Sequence, residues 1–91
     1  EQKITAEVRE AWRTVQLASE TISATKKTRT AAEKRFEAEK GRFKVGMATL
    51  NDVLKFQEGY AKALSSEKRA EVDYAKAAVE LERIKGTLGQ W

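Results

Sequence analysis

The sequence predicts an all-α protein in which two long antiparallel helices form a coiled-coil-like hairpin. Three observations support this prediction. The 91-residue chain contains no proline, its apolar residues recur at alternating spacings of three and four, and one glycine-containing turn signal lies near its middle. Proline disrupts helix interiors, so its absence permits helices of tens of residues. Alternating three- and four-residue spacing places side chains on one helix face, as in coiled coils.

The composition favours helices that pack side by side over a compact globular core. Hydrophobic residues make up 41% of the chain and charged residues 35%, and much of the apolar share is alanine, which buries little area. We expect one α-helical hairpin over residues 1–91, with a first helix at about 4–44, a tip turn at about 45–49 and a second helix at about 50–86.

The first helix carries one apolar stripe at heptad spacing. The stripe is apolar in its first half and is interrupted by polar residues in its second half. Trp12 lies one position beside it and could widen it. The positions in this register are Ile4, Val8, Ala11, Val15, Ala18, Ile22, Thr25, Arg29, Ala32, Phe36, Glu39 and Phe43.

The turn is predicted from the residues that end one helix and begin the next. Gly46 can adopt the left-handed conformation that suits the position after a helix end. Positive charge at Lys44 and its neighbours complements the dipole of the last turn. Thr49 is a candidate N-cap, and Asp52, three residues later, can reach back to it. The second helix is therefore expected to begin at about Leu50.

The second helix carries two neighbouring stripes. We expect it to end near Gly86. Two stripes indicate that each helix contacts more than one neighbour, so we expect Trp12, Leu54, Val79 and Leu81 to remain available for a further partner. The first stripe comprises Val53, Gln57, Tyr60, Leu64, Glu67, Glu71, Tyr74, Ala78, Leu81, Lys85 and Leu88, and the second comprises Leu50, Leu54, Ala61, Ala75 and Val79.

The residues that catalysis would require are missing from the sequence. There is no histidine or cysteine, the five glycines are scattered, and the carboxylates recur beside Lys or Arg at helical spacing. Metal-ligand spacing is also absent. We therefore expect neither an enzyme nor a bound cofactor or metal. There is also no apolar run near the ~20 residues that a membrane-spanning helix requires.

The basic segment Lys26–Lys44 has two interpretations. It contains eight basic and three acidic residues, within a chain whose net charge is +4. It could bind a polyanion such as nucleic acid or a membrane surface. It could also be a solvated helix face near a C-terminus, which is the interpretation we favour, so no nucleic-acid partner is expected. Phe36 and Phe43 lie at stripe spacing and are expected to pack within the protein.

The turn and its flanks resemble a known family. Residues 42–46 read Arg-Phe-Lys-Val-Gly, and residues 49–54 read Thr-Leu-Asn-Asp-Val-Leu. This pattern resembles the periplasmic hairpin tip of the outer membrane efflux protein family, the TolC-like channels. Residues 8–12, 31–36 and 79–88 resemble the flanking helices of the same hairpin, so the resemblance covers nearly the whole chain.

The resemblance implies a role as well as a fold. Family members are trimers whose protomers contribute strands to an outer-membrane β-barrel and two long hairpins to a periplasmic α-barrel. This chain would be one such hairpin of a longer protein, in contact with the outer membrane only through the barrel part that it does not contain. The hairpin tip would bind the periplasmic adaptor (membrane fusion) protein of a tripartite pump.

The resemblance also implies which residues carry that role. The adaptor-docking tip would comprise Arg42, Val45, Gly46, Met47, Ala48, Thr49 and Leu50, and Asp52 would lie at the channel constriction. Lys55 stands where some members carry a second aspartate, and Ala48 stands where some carry a polar or basic residue. The alternative hypothesis is a self-associating coiled-coil interaction module with a polyanion-binding face at residues 26–44.

Overall fold

The computed structural model describes residues 2–89, with side chains described for residues 6–86. Helix α1 spans Gln2–Lys44 and helix α2 spans Leu50–Gly89, and residues 45–49 connect them. The described residues contain no strand, which confirms the predicted all-α class with two long helices. Helix α2 continues past the expected end near residue 86, because a single glycine with helical backbone angles weakens a helix without ending it.

The two helices divide into two compact units. The tip unit comprises Ala24–Lys68, which includes the end of α1, the turn and the start of α2. The terminal unit joins α1 as far as Ser23 with α2 from Arg69 onward. In each unit a segment of one helix packs against a segment of the other.

The terminal unit is held together by alanine and aliphatic side chains. Ala70 and Leu81 of α2 are its most buried residues, at 4% and 5% exposure, and Ala11 of α1 is also buried. Small side chains allow close approach of the two helix backbones. The Glu7 carboxylate lies near enough to Arg83 to help raise the pKa of its guanidinium, although hydrogen bonding to Glu80 is the larger cause. The start of α1 therefore lies beside the end of α2.

The tip unit has a more polar interior. Arg29 Nε donates to Glu67 Oε1 across the helix pair at 2.9 Å, and the Phe36 and Tyr60 rings stack with centroids 5.9 Å apart. From the first contact to the second, the residue number rises on α1, from 29 to 36, and falls on α2, from 67 to 60. The two segments of the tip unit are therefore antiparallel, and they pack through aromatic and charged groups as well as aliphatic ones.

The stripe predicted on α1 is confirmed from Val8 to Glu39, since each of its positions in that range is buried or half-buried. The exception at its end is Phe43, which is exposed. The expectation that Phe43 packs within the chain is wrong, because Phe43 lies in the last turn of α1, where 44% of the residue remains exposed.

The stripe predicted on α2 is correct at only some of its positions. Six predicted positions are buried or half-buried as expected: Val53, Tyr60, Leu64, Glu67, Ala78 and Leu81. Exposed positions are Gln57, Glu71, Tyr74 and Lys85, whereas Ala63, Ala70, Ala77 and Ile84 are buried or half-buried. The buried stripe thus includes alanines that the prediction left out, since small side chains allow two helices to approach closely.

The surface expected to remain free is largely as predicted. Trp12, Leu54 and Val79 are exposed. Leu81 is the exception, because it belongs to the buried interface of the terminal unit.

Candidate functional site

The turn begins where two backbone hydrogen bonds end α1. The amide of Met47 donates to the Arg42 carbonyl at 2.8 Å, and the amide of Gly46 donates to the Phe43 carbonyl at 3.1 Å. Gly46 has a φ of +78°, the left-handed region that glycine enters without a Cβ penalty. This arrangement is a Schellman motif, and it satisfies carbonyls at the end of α1.

The turn ends in a reciprocal cap at the start of α2. The Asp52 amide donates to the Thr49 Oγ1 at 3.1 Å, and the Thr49 amide donates to the Asp52 Oδ2 at 3.0 Å. This is a capping box with an aspartate in the third position, and it confirms Thr49 as the N-cap. With both ends fixed by hydrogen bonds, only a few residues of the turn lie outside regular structure.

The Asp52 carboxylate is held in its charged form. Hydrogen bonding from the Thr49 backbone amide is the main cause that lowers its pKa below the ordinary value of 3.8. The Thr49 side chain and the positive charges of Lys55 and Arg42 act in the same direction, while partial burial opposes them. Asp52 is therefore a fixed negative charge at neutral pH.

Arg42 links the turn to the interior of the tip unit. Its Nη2 donates to the Met47 carbonyl at 3.1 Å, and its Nη1 donates to the Glu39 Oε1 at 3.4 Å. Glu39 is the one buried charged residue of the described chain, at 7% exposure. Sequence reasoning assigned Arg42 to the helix dipole and the docking tip and missed this bridge. The spacing of Glu39 and Arg42 by three residues at a helix end was the available signal.

The outer surface of the turn is apolar and exposed. Val45, Met47 and Leu50 are exposed at 69%, 68% and 57%. Ala48 is half-buried between them. We call these four residues the tip surface. A side chain added at Gly46 would meet no atom within 4 Å, so the residue borders open space.

The predicted tip residues are thus contiguous in space, and they divide by what they contact. Arg42, Gly46 and Thr49 hold the turn through hydrogen bonds, whereas the residues of the tip surface project from it. Asp52 lies half-buried at the base of the turn, where its carboxylate is bonded to Thr49.

Several cations of the basic segment are paired within the chain. Arg29 contacts Glu67 and Glu33, Lys40 contacts Glu37, and Arg42 contacts Glu39. The Lys40 Nζ also lies 4.7 Å from the centre of the Phe36 ring, within the range of a cation–π contact. Three of the eight basic residues of the segment thus form ion pairs within the described part of the chain.

The part of the chain that the structure describes lacks two further kinds of site. It contains no group of three or more acidic, histidine or cysteine side chains arranged to bind a metal ion. Neither described helix has an apolar stretch long enough to cross a membrane. The turn presents exposed apolar side chains on a backbone fixed by hydrogen bonds.

The fold and the turn define a class of protein: two long helices joined by a short turn that carries exposed apolar side chains. Residues 1–87 match the family model described as Outer membrane efflux protein, and the chain belongs to that family. It is a family of transport channels, and its members are outer membrane channels with periplasmic helical domains. Comparison with curated proteins and with solved structures finds no significant match.

Proposed function

We propose that this hairpin is the periplasmic part of a TolC-like efflux channel and that its tip binds the periplasmic adaptor protein of a tripartite pump. The observation that carries the proposal is the exposure of Val45, Met47 and Leu50 on a turn whose backbone is fixed at both ends. Exposed apolar side chains on a rigid support bind a partner at a low entropic cost. The adaptor hairpin is the partner that family membership suggests.

The tip surface matches the chemistry of a small, reversible contact. Three large apolar side chains on one turn bury too little area for a stable complex by themselves. In the parent channel, which we propose is a homotrimer, three hairpin tips would act together and raise the overall affinity through multivalency. Single hairpins are therefore expected to bind weakly.

The test compares two double variants for binding to the isolated helical hairpin of an adaptor from the same organism. Val45→Ser with Met47→Ser removes two side chains of the tip surface, and Leu17→Ser with Val72→Ser removes two exposed apolar side chains away from the turn. At 61% and 51% exposure, Leu17 and Val72 are somewhat less exposed than Val45 and Met47, at 69% and 68%. Binding should weaken about tenfold in the tip variant alone. Equal loss in both variants would contradict a docking tip.

We further propose that Asp52 lies at the constriction of the parent channel. Its lowered pKa keeps it negative at neutral pH, and copies from several protomers would form an acidic ring that favours cations. In the reconstituted parent, Asp52→Asn should reduce selectivity for cations over anions. An unchanged selectivity would contradict a position at the constriction and would leave Asp52 with its capping role alone.

A further inference from the structure

The tip unit contains a groove between α1 and α2 that the proposed docking tip does not use. Its volume is about 330 Å³, and its floor includes Ala32 of α1 with Gly59 and Ala63 of α2. Ala63 is buried at 7% exposure, so the floor reaches the helix interface. A Cβ added at Gly59 would meet no atom within 4 Å. The groove is therefore open space that exists because small residues face each other on both helices.

The groove carries positive charge from both helices. Arg35 of α1 and Lys55 of α2 line it, and neither forms an ion pair within the described part of the chain, unlike Arg29, Lys40 and Arg42. No acidic residue lines it. Asp52 is near enough to Lys55 to feel its charge, but the Asp52 carboxylate is bonded to Thr49.

The groove also contains an aromatic side chain. Phe56 lines it beside Lys55, so an apolar floor, an aromatic ring and two cations share one recess. Small-molecule sites combine an apolar lining with a few polar groups that fix orientation, in volumes from about 300 Å³ upward. The volume here lies near that lower limit and suits a molecule of two or three rings.

We propose that this groove binds an amphiphilic organic anion. Its rings would lie on the alanine and glycine floor against Phe56, and its carboxylate or sulfonate would lie between Arg35 and Lys55. Arg35 contributes hydrogen bonds in a planar fork, and Lys55 contributes a point charge. The inference is independent of adaptor docking, because none of its residues belongs to the tip surface.

The first test fills the groove. The probe is 8-anilinonaphthalene-1-sulfonate, an aryl sulfonate whose fluorescence rises on binding. Gly59→Leu adds a side chain at a residue that lines the groove, and Gly41→Leu makes the same change at another helical glycine; a Cβ at either position meets no atom within 4 Å. Saturable binding should be lost in Gly59→Leu and retained in Gly41→Leu, with helix content by circular dichroism unchanged in both.

The second test removes the charge. Arg35→Gln with Lys55→Gln should weaken binding of the sulfonate probe about tenfold or more, because charge-assisted hydrogen bonds are lost. Binding of N-phenyl-1-naphthylamine, which has the same rings without the sulfonate, should change little. Lys34→Gln with Lys62→Gln is the matched control, since it removes one exposed cation from each helix away from the groove.

Four results would overturn the proposal. The first is binding of the sulfonate probe to Gly59→Leu as tightly as to the native protein. The second is an equal loss of probe affinity in the two charge variants. The third is loss of probe binding in the Val45→Ser, Met47→Ser variant, which would place the probe on the tip surface. A shift from dimer to monomer in Gly59→Leu without the probe, seen by sedimentation, would show that a second copy covers the groove.

Discussion

Gly46 allows the backbone to leave α1 and enter the turn that leads to α2. Its φ of +78° is required by the hydrogen bonds that end α1, and other residues adopt that conformation only with strain. Gly41 and Gly59 lie inside helices, where glycine is merely tolerated. The backbone conformation thus requires glycine at Gly46 and does not require it at Gly41 or Gly59.

This difference predicts opposite effects of one substitution. Gly46→Ala should lower the free energy of unfolding by about 1 kcal/mol, because alanine is strained at positive φ. Gly41→Ala should raise it by about 0.5 kcal/mol, because alanine favours the helix. A Cβ at either position meets no atom within 4 Å, so backbone conformation alone distinguishes the two. Urea denaturation measures both changes, and equal signs would contradict the assignment of Gly46.

The capping box predicts a specific dependence on pH. The lowered pKa of Asp52 means that its stabilising effect is present above the ordinary value of 3.8 and is lost as the pH falls through the lower folded-state value. The difference in stability between the native protein and Asp52→Asn should therefore be largest at neutral pH and should shrink in acid. Urea midpoints over a pH series measure it. A difference that stays constant over the pH series would contradict the role of the Asp52 carboxylate in the cap.

Thr49 provides the other half of the cap, and the prediction for its hydroxyl group does not require a change of pH. Thr49→Ala removes the hydroxyl that accepts the Asp52 amide, and should cost about 1 kcal/mol of stability. Thr49→Ser keeps the hydroxyl and should cost much less. Thermal unfolding followed by circular dichroism compares the two, and a similar loss in both would show that the hydroxyl contributes nothing to the cap.

At the scale of the element, α2 owes its packing to alanine. Ala63 and Ala70 are among the most buried residues, and they lie on the side of α2 that faces α1. Ala70→Leu should destabilise the protein by about 1–3 kcal/mol, because the added atoms overpack a close interface. Ala61→Leu at an exposed position should change stability by less than about 0.5 kcal/mol. Equal effects on the denaturation midpoint would contradict the burial of Ala70.

The ion pair between the helices predicts that substituting one partner destabilises the protein more than substituting both. The Arg29 and Glu67 side chains are only 23% and 12% exposed, so either one left alone is a poorly solvated charge. Arg29→Met should destabilise the protein more than Arg29→Met with Glu67→Met. The exposed pair of Glu10 and Arg13 should show almost no such coupling. Double-mutant cycles from urea denaturation measure both couplings.

At the scale of the whole molecule, the apolar side chains that the hairpin leaves exposed predict association. Trp12 and Val79 of the terminal unit are each at least half exposed. Trp12→Ser with Val79→Ser should weaken self-association about tenfold in sedimentation experiments, because both lose apolar contact area. Gln16→Ser with Lys76→Ser, two exposed polar changes on the same helices, should leave it unchanged. No difference between the variants would locate the association elsewhere.

The sequence by itself determined the helices, the turn and its caps. These features depend on local chemistry: glycine at positive φ, a threonine with an acidic residue three positions later, and spacing that repeats along one chain. The α1 stripe from Val8 to Glu39 followed for the same reason, since Val8, Val15, Ile22 and Phe36 set a register that the alanine and polar positions between them share. The family also followed, because its tip pattern lies in one short stretch of the chain.

Only the tertiary structure decided which face of α2 is buried and which charges meet. Alanine carries too weak an apolar signal to distinguish Ala63 and Ala70 from exposed alanines such as Ala61. The pairing of Arg29 with Glu67 joins residues 38 positions apart, which no local pattern encodes. The groove beside Gly59 likewise arises only when small residues of two helices face each other, so its volume is a property of the packed pair.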